Sequence, residues 1–150
     1  MKKFTLSILM FALTFLTYGQ TTVTKSYTGP TVSIDGCGLY CVPVGGVSFD
    51  GTDFPSGSQI TDVNITINWL KTDGTCTTPG TGTSFHNETN FRLDSPTTQV
   101  ILASPNTWTG GANIASVTTT FDQSAGANPS GTPVNGTFLP NGGNLNSFNT

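Results

Sequence analysis

One short stretch places a hydroxyl and an imidazole close together: Gly82-Thr83-Ser84-Phe85-His86. Nucleophilic acyl transfer needs such a pair, a Ser oxygen activated by a base, with an acid orienting that base. The chain holds a single His, so His86 is the one imidazole available. Two residues apart on an extended backbone, Ser84 and His86 point the same way but stand roughly 7 Å apart. No strand-to-helix turn is predicted around Ser84, and the stretch reads as a Gly/Thr/Ser loop. Gly46-Val47-Ser48-Phe49-Asp50-Gly51 brackets a second Ser with glycines. Its second Gly falls one residue late for a nucleophile elbow. No Gly-rich loop leads into a helical pattern, so phosphate binding has no support. The expectation is a chain without catalytic residues of its own.

Ligand chemistry is equally sparse. Calcium takes several loop oxygens, and Glu88, Asp122 and Asp94 are the candidates to supply them. No dense Asp-x-Asp-x-Asp run accompanies them, and turn formation is the favoured role for such Asp residues. No cofactor or metal is therefore expected, with calcium as the alternative. Cys37, Cys41 and Cys76 allow three disulfide pairings and leave one thiol over. A bridge to Cys76 closes a longer loop than Cys37–Cys41 and constrains the unfolded chain more. A zinc site would need His86 as its fourth ligand, and no C-x-x-C pair supports it. Trp108 sits in a loop rich in Gly, Thr and Asn, where an exposed ring would stack on a sugar. Sequons begin at Asn64, Asn87 and Asn135; they matter only in a cell that glycosylates.

The elements that must position these residues follow from pattern and composition. Met1-Lys2-Lys3, the apolar run Phe4 to Leu16 and Thr17-Tyr18-Gly19 have the layout of a secretory signal peptide cleaved after Gly19. That expectation makes residues 1–19 a leader, residues 20–150 one module, and the location extracellular, with no membrane span after cleavage. Beyond Gly19 only Lys25, Lys71 and Arg92 are positive, against eight acids. Nucleic acid is excluded as a partner, because nothing would neutralise its phosphates. Charged residues make up 9% of the chain, against about 25% in an average soluble domain. Thr, Asn, Ser, Gly and Pro take their place, which favours short strands and turns over helices.

The strand pattern is clearest over Ile60–Leu70, where Val63, Ile65, Ile67 and Trp69 alternate with polar residues. Asp73-Gly74 closes it as a turn, and Cys76 to Ser84 reads as loop. Further strands are expected at Asn90–Asp94, Gln99–Ala103 (central, being strongly apolar), Ala115–Phe121 and Gly136–Leu139, with edge strands at Thr22–Tyr27 and Gly46–Asp50. Phe91, Leu93, Val100, Leu102, Val117 and Phe121 join the four residues of Ile60–Leu70 as the inward set. Short strands at this spacing without a helical period predict an all-β, jelly-roll-like antiparallel sandwich.

From about residue 30 onward the chain resembles the P domain, also called the Homo B domain. This module accompanies subtilisin-like serine endopeptidases such as the kexin-type proprotein convertases and occurs in secreted bacterial proteins. Ser33-Ile34-Asp35 matches part of its opening motif, and Ile60–Trp69 its alternating strand. Asn90–Pro96 and Gln99–Ala103 match the strand with a proline turn and the apolar strand after it. The most specific markers are Phe121-Asp122 with Ser124-Ala125, Gly136-Thr137-Phe138-Leu139-Pro140 and Leu145-Asn146-Ser147-Phe148-Asn149. Departures are Phe85 to Phe91, where the family has a glycine–aspartate–leucine element, and an insertion holding Cys76. The resemblance implies a galactose-binding-like jelly roll whose last strands are missing after Thr150. It also implies an accessory role, supporting a neighbouring protease domain of a longer secreted protein or binding a cell-surface partner. The alternatives are a carbohydrate- or surface-adhesion module using Trp108, and a fragment of a larger secreted serine endopeptidase. A glycan screen with Trp108→Ala separates the second reading from the first.

Overall fold

The computed structural model describes residues 20–31, 49–75, 78–80, 82–94, 97–111 and 114–148. The leader, Ser33-Ile34-Asp35, the three cysteines and most of the Gly46–Asp50 strand lie outside the described residues. Among the described residues there are seven strands: β1 Ile65–Trp69, β2 Gly74–Thr75, β3 Thr78–Pro79, β4 Phe91–Asp94, β5 Gln99–Ala103, β6 Val117–Phe121 and β7 Gly136–Phe138. Two short 3₁₀ turns, His86–Glu88 and Leu145–Phe148, are the helical elements among the described residues. The fold is all-β. No helix among the described residues is long and apolar enough to cross a membrane.

Three strands form one sheet in the order β1-β6-β7. β1 runs antiparallel to β6, with Ile65 opposite Phe121 and Trp69 opposite Val117. This register puts the apolar side of β1 and the buried side of β6 (Val117, Thr119, Phe121) on the same face. On the other face Thr66 and Thr120 share a hydroxyl hydrogen bond of 2.9 Å, and the Asn68 amide donates to Thr118 at 2.9 Å. β4 and β5 pair antiparallel, with a register shift between Phe91 and Arg92. The two groups of strands meet over one core of Val100, Leu102, Ala103, Trp108, Phe121 and Leu145. Val63, Ile65, Ile67, Trp69, Phe91, Leu93 and Phe148 pack around it. All ten residues expected to face inward do so: nine belong to this core and its surround, and Val117 is buried at 7% exposure.

Several expectations are corrected. The sheet is not purely antiparallel, since β7 lies parallel to β6 with Phe138 opposite Phe121. A parallel pair needs a crossover of about a dozen residues or more, and the loop from Asp122 to Asn135 supplies that length. β1 is shorter than the alternating run, because Ile60 to Asn64 continue the pattern without a partner strand. Asp73-Gly74 is not a simple stop: Gly74 opens β2, which pairs with β3 inside the expected loop. Thr22–Tyr27 is no edge strand; Val23 alone is half-buried, and an ion pair from Lys25 to Asp53 at 2.6 Å tethers the segment instead.

β5 is not the central strand expected: it belongs to a two-stranded sheet with β4, and an isolated bridge covers its other edge among the described residues. One edge pairs with β4, and the other is closed by reciprocal bonds between Ile101 and Gly142, 2.8 and 3.0 Å. That approach requires glycine at position 143, where φ is +89° and a Cβ would stand 3.3 Å from the Gln99 carbonyl. The turn then delivers Leu145 into the core, fully buried, with its amide donating to Gln123 Oε1 at 3.0 Å.

Candidate functional site

β1 ends at Trp69, and the chain leaves it through Leu70 and Lys71. Ser84 returns to this point: its hydroxyl donates to the Lys71 carbonyl at 2.8 Å, and the residue is 2% exposed. His86 follows in a 3₁₀ turn, so the spacing of an extended backbone does not apply to the pair. Its ring is fully buried and meets the Trp69 indole edge-on, centroids 6.3 Å apart. Neither ring nitrogen has a hydrogen-bond partner among the described residues. Burial holds its pKa below the ordinary imidazole value, and the nearby Lys71 cation pushes the same way. The imidazole is therefore neutral at pH 7, yet it neither receives the Ser84 proton nor is oriented by an acid. The hydroxyl and imidazole come into one neighbourhood without forming a nucleophile–base pair.

Beside Ser84 lies a cleft of about 110 Å³ lined by Leu70, Lys71, Thr72, Gly80, Ser84 and Ile114. Small-molecule sites typically run to about 300–1,000 Å³, so this one admits little more than a few waters. Lys71 reaches over to Glu88 at 3.2 Å.

The three calcium candidates do not share a site. Glu88 pairs with Lys71, Asp94 with Arg92 at 2.8 Å, and Asp122 caps the turn after β6. Hydrogen bonds from the Ser124 hydroxyl and amide, 2.7 and 2.6 Å, hold the Asp122 pKa below the usual carboxylate value. Among the described residues no group of three or more His, Cys, Asp and Glu could hold a metal ion. Of the sequon residues, Asn64 and Asn135 are exposed, whereas the Asn87 amide oxygen is buried.

Trp108 requires the largest correction. It lies in a loop, as the sequence suggests, but only 3% of it is exposed. Its ring stands 4.9 Å from Trp69 and 5.9 Å from Phe91, and Trp69 meets Phe91 edge-on at 5.2 Å. The loop turns inward because Thr109 donates to the Gly131 carbonyl at 2.8 Å, and the Ser104 amide to Thr107 Oγ1 at 3.1 Å. The backbone is thus satisfied while the indole enters the core. A buried ring cannot stack on a sugar, so the adhesion reading loses its platform. The indole of Trp69 is satisfied within the same region, donating to Thr119 Oγ1 at 3.0 Å. A large apolar ring in a charge-free loop is the signal that could have marked Trp108 as core.

Comparisons with protein-family models, with curated proteins and with solved structures find no match to this chain.

Proposed function

We propose that the chain is a non-catalytic, jelly-roll-like β-sandwich module of an exported protein, of the accessory type attached to subtilisin-like serine endopeptidases. In that role it supports a neighbouring domain or binds a surface partner. One observation carries the non-catalytic part: the Ser84 hydroxyl donates a hydrogen bond to the Lys71 carbonyl, and among the described residues His86 has no partner on either nitrogen. Without a base on the hydroxyl and an acid on the base, acyl transfer has no activated nucleophile.

The accessory reading rests on the P-domain-like markers, which are far apart in sequence and close in the fold. Phe121 pairs with Phe138 across β6 and β7, and the Asp122 amide donates to the Phe138 carbonyl at 3.0 Å. Leu139 donates to the Ala127 carbonyl at 2.8 Å, and Leu145 is tied to Gln123. The three markers therefore form one supporting unit, which contributes Phe121 and Leu145 to the core. Residues of this kind maintain an architecture and leave recognition to loops and neighbours.

The reading is tested with purified protein and a library of peptide substrates. Equal, background-level hydrolysis by wild type and Ser84→Ala is expected. Turnover by wild type that disappears in Ser84→Ala would overturn it.

A further inference from the structure

We propose that His86 is an acid-sensitive latch: protonation of its ring in mildly acidic solution unseats the His86–Glu88 turn from the Trp69–Phe91–Trp108 cluster. The seat is built for a neutral ring. It is fully buried, edge-on to Trp69, and offers no hydrogen-bond partner to either nitrogen among the described residues. A neutral imidazole there already leaves a donor and an acceptor unmet, which is unfavourable, and a cation is far more so.

The surrounding charges do not relieve a cation at this place. Lys71, just beyond β1, repels it. Glu88 of the same turn is engaged by Lys71 at 3.2 Å. On β4, Arg92 and Asp94 pair with each other at 2.8 Å. β1 and the loop from Ser104 to Gly111 contain no charged residue. A protonated His86 has one route to relief, which is to reach water.

The turn is connected so that its opening would be felt in the core. Within it, Glu88 donates to the Phe85 carbonyl and Thr89 to the His86 carbonyl, both at 3.1 Å. Asn106 donates to the Asn87 carbonyl at 2.7 Å, and Gly111 to the Ser84 carbonyl at 3.0 Å. These two bonds join the turn to the loop that carries Trp108. Asn87 Oδ1 and Thr89 Oγ1 are also buried without partners among the described residues. The turn is thus held by backbone bonds, packing and the solvent-facing Lys71–Glu88 ion pair, a combination that opens locally more readily than a sheet.

The sign follows from the lowered pKa of the seated ring. The open state binds the proton first, so the seat is fully stable above the ordinary imidazole pKa of 6.5. As the pH falls below that value, the closed-to-open ratio drops by up to about tenfold per pH unit, until the pKa of the seated ring is reached. Asp50, Asp53 and Asp122 all have pKa values held below 3.8, so their protonation lies in a separate, more acidic window.

The composition suits the test, because the chain has one His and two Trp. Intrinsic fluorescence reads Trp69 and Trp108, and the imidazole C–H resonance reports His86 without assignment. Between about pH 7 and about pH 4.5, the emission of the whole chain should shift in step with that resonance, with a midpoint below 6.5. His86→Phe should hold the high-pH emission across the window. A resonance that titrates at or above 6.5, or emission that is unchanged while it titrates, would overturn the latch. So would an unaltered emission transition in His86→Phe. Should that variant fail to fold, the wild-type resonance and emission decide the matter by themselves.

Discussion

Replacing Trp108 with Ala removes a buried ring of the aromatic cluster, and the consequence can be worked from its burial. A buried Trp covers about 150–250 Å², and Trp108 keeps only 3% of its surface exposed. At about 25 cal/mol per Å² the transfer contribution is about 4–6 kcal/mol. Compaction of the unfolded chain lowers such figures by about 10–40%, which leaves about 2.4–5.4 kcal/mol, a span that contains the usual range of about 3–5 kcal/mol for Trp→Ala in a core. Total stability of a domain is about 5–15 kcal/mol, so the variant should be marginal. Trp108→Phe keeps an aromatic ring near Trp69 and Phe91 and should cost less. Urea unfolding followed by far-UV circular dichroism measures this. With a slope of about 1–3 kcal/mol per M, the midpoint for Trp108→Ala should fall by at least about 1 M. A solvent-facing Trp would change stability by no more than about 0.5 kcal/mol. A loss below about 1 kcal/mol, within the range that surface and minor changes give, would refute the burial argument and restore Trp108 as a candidate ligand platform.

Thr119→Val removes the acceptor of the Trp69 indole while keeping the shape of a fully packed site; it should cost about 1–3 kcal/mol in the same assay, and a neutral result would mean that the indole finds another partner. Gly143→Ala forces a side chain into a left-handed backbone, with its Cβ 3.2 Å from Val100 Cγ2. A lower melting temperature is expected, and an unchanged one would contradict the tight approach to β5. Below about pH 4, stability should fall as Asp50, Asp53 and Asp122 take up protons, since their folded-state pKa values are held down by hydrogen bonds, with Lys25 aiding the first two. Asp122→Asn should weaken that acid response, and a melting curve with the same response as wild type would remove Asp122 from the explanation.

Alternation and apolarity made the core legible from sequence. Val63 to Trp69 alternate so strictly that only one face can be buried, and the apolar run Val100 to Ala103 marks a core strand, in which Val100, Leu102 and Ala103 are buried while Ile101 stays exposed. Pairing was less legible, because strand direction depends on where a long loop returns the chain. Nothing local to Gly136–Phe138 encodes its parallel partnership with β6. The burial of Trp108 and of His86 was not legible, for one shared reason. Loop composition predicts backbone irregularity, and it does not predict where a side chain inside the loop will point. Leu145 belongs to the same class, since its burial depends on the turn at Gly142 and Gly143. Ser84 stayed ambiguous in the sequence because a hydroxyl two residues from an imidazole is compatible with both reaction and structure. Only its bond to the Lys71 carbonyl distinguishes the two.

The central claim is that the residues able to do chemistry are committed to structure. Its most direct test is exposure of the purified chain at neutral pH to a fluorophosphonate, which bonds covalently to an activated Ser, followed by intact-mass measurement. The account predicts an unmodified mass for wild type, Ser84→Ala and His86→Phe alike. A single stoichiometric adduct that maps to Ser84, and that is lost in His86→Phe, would contradict it.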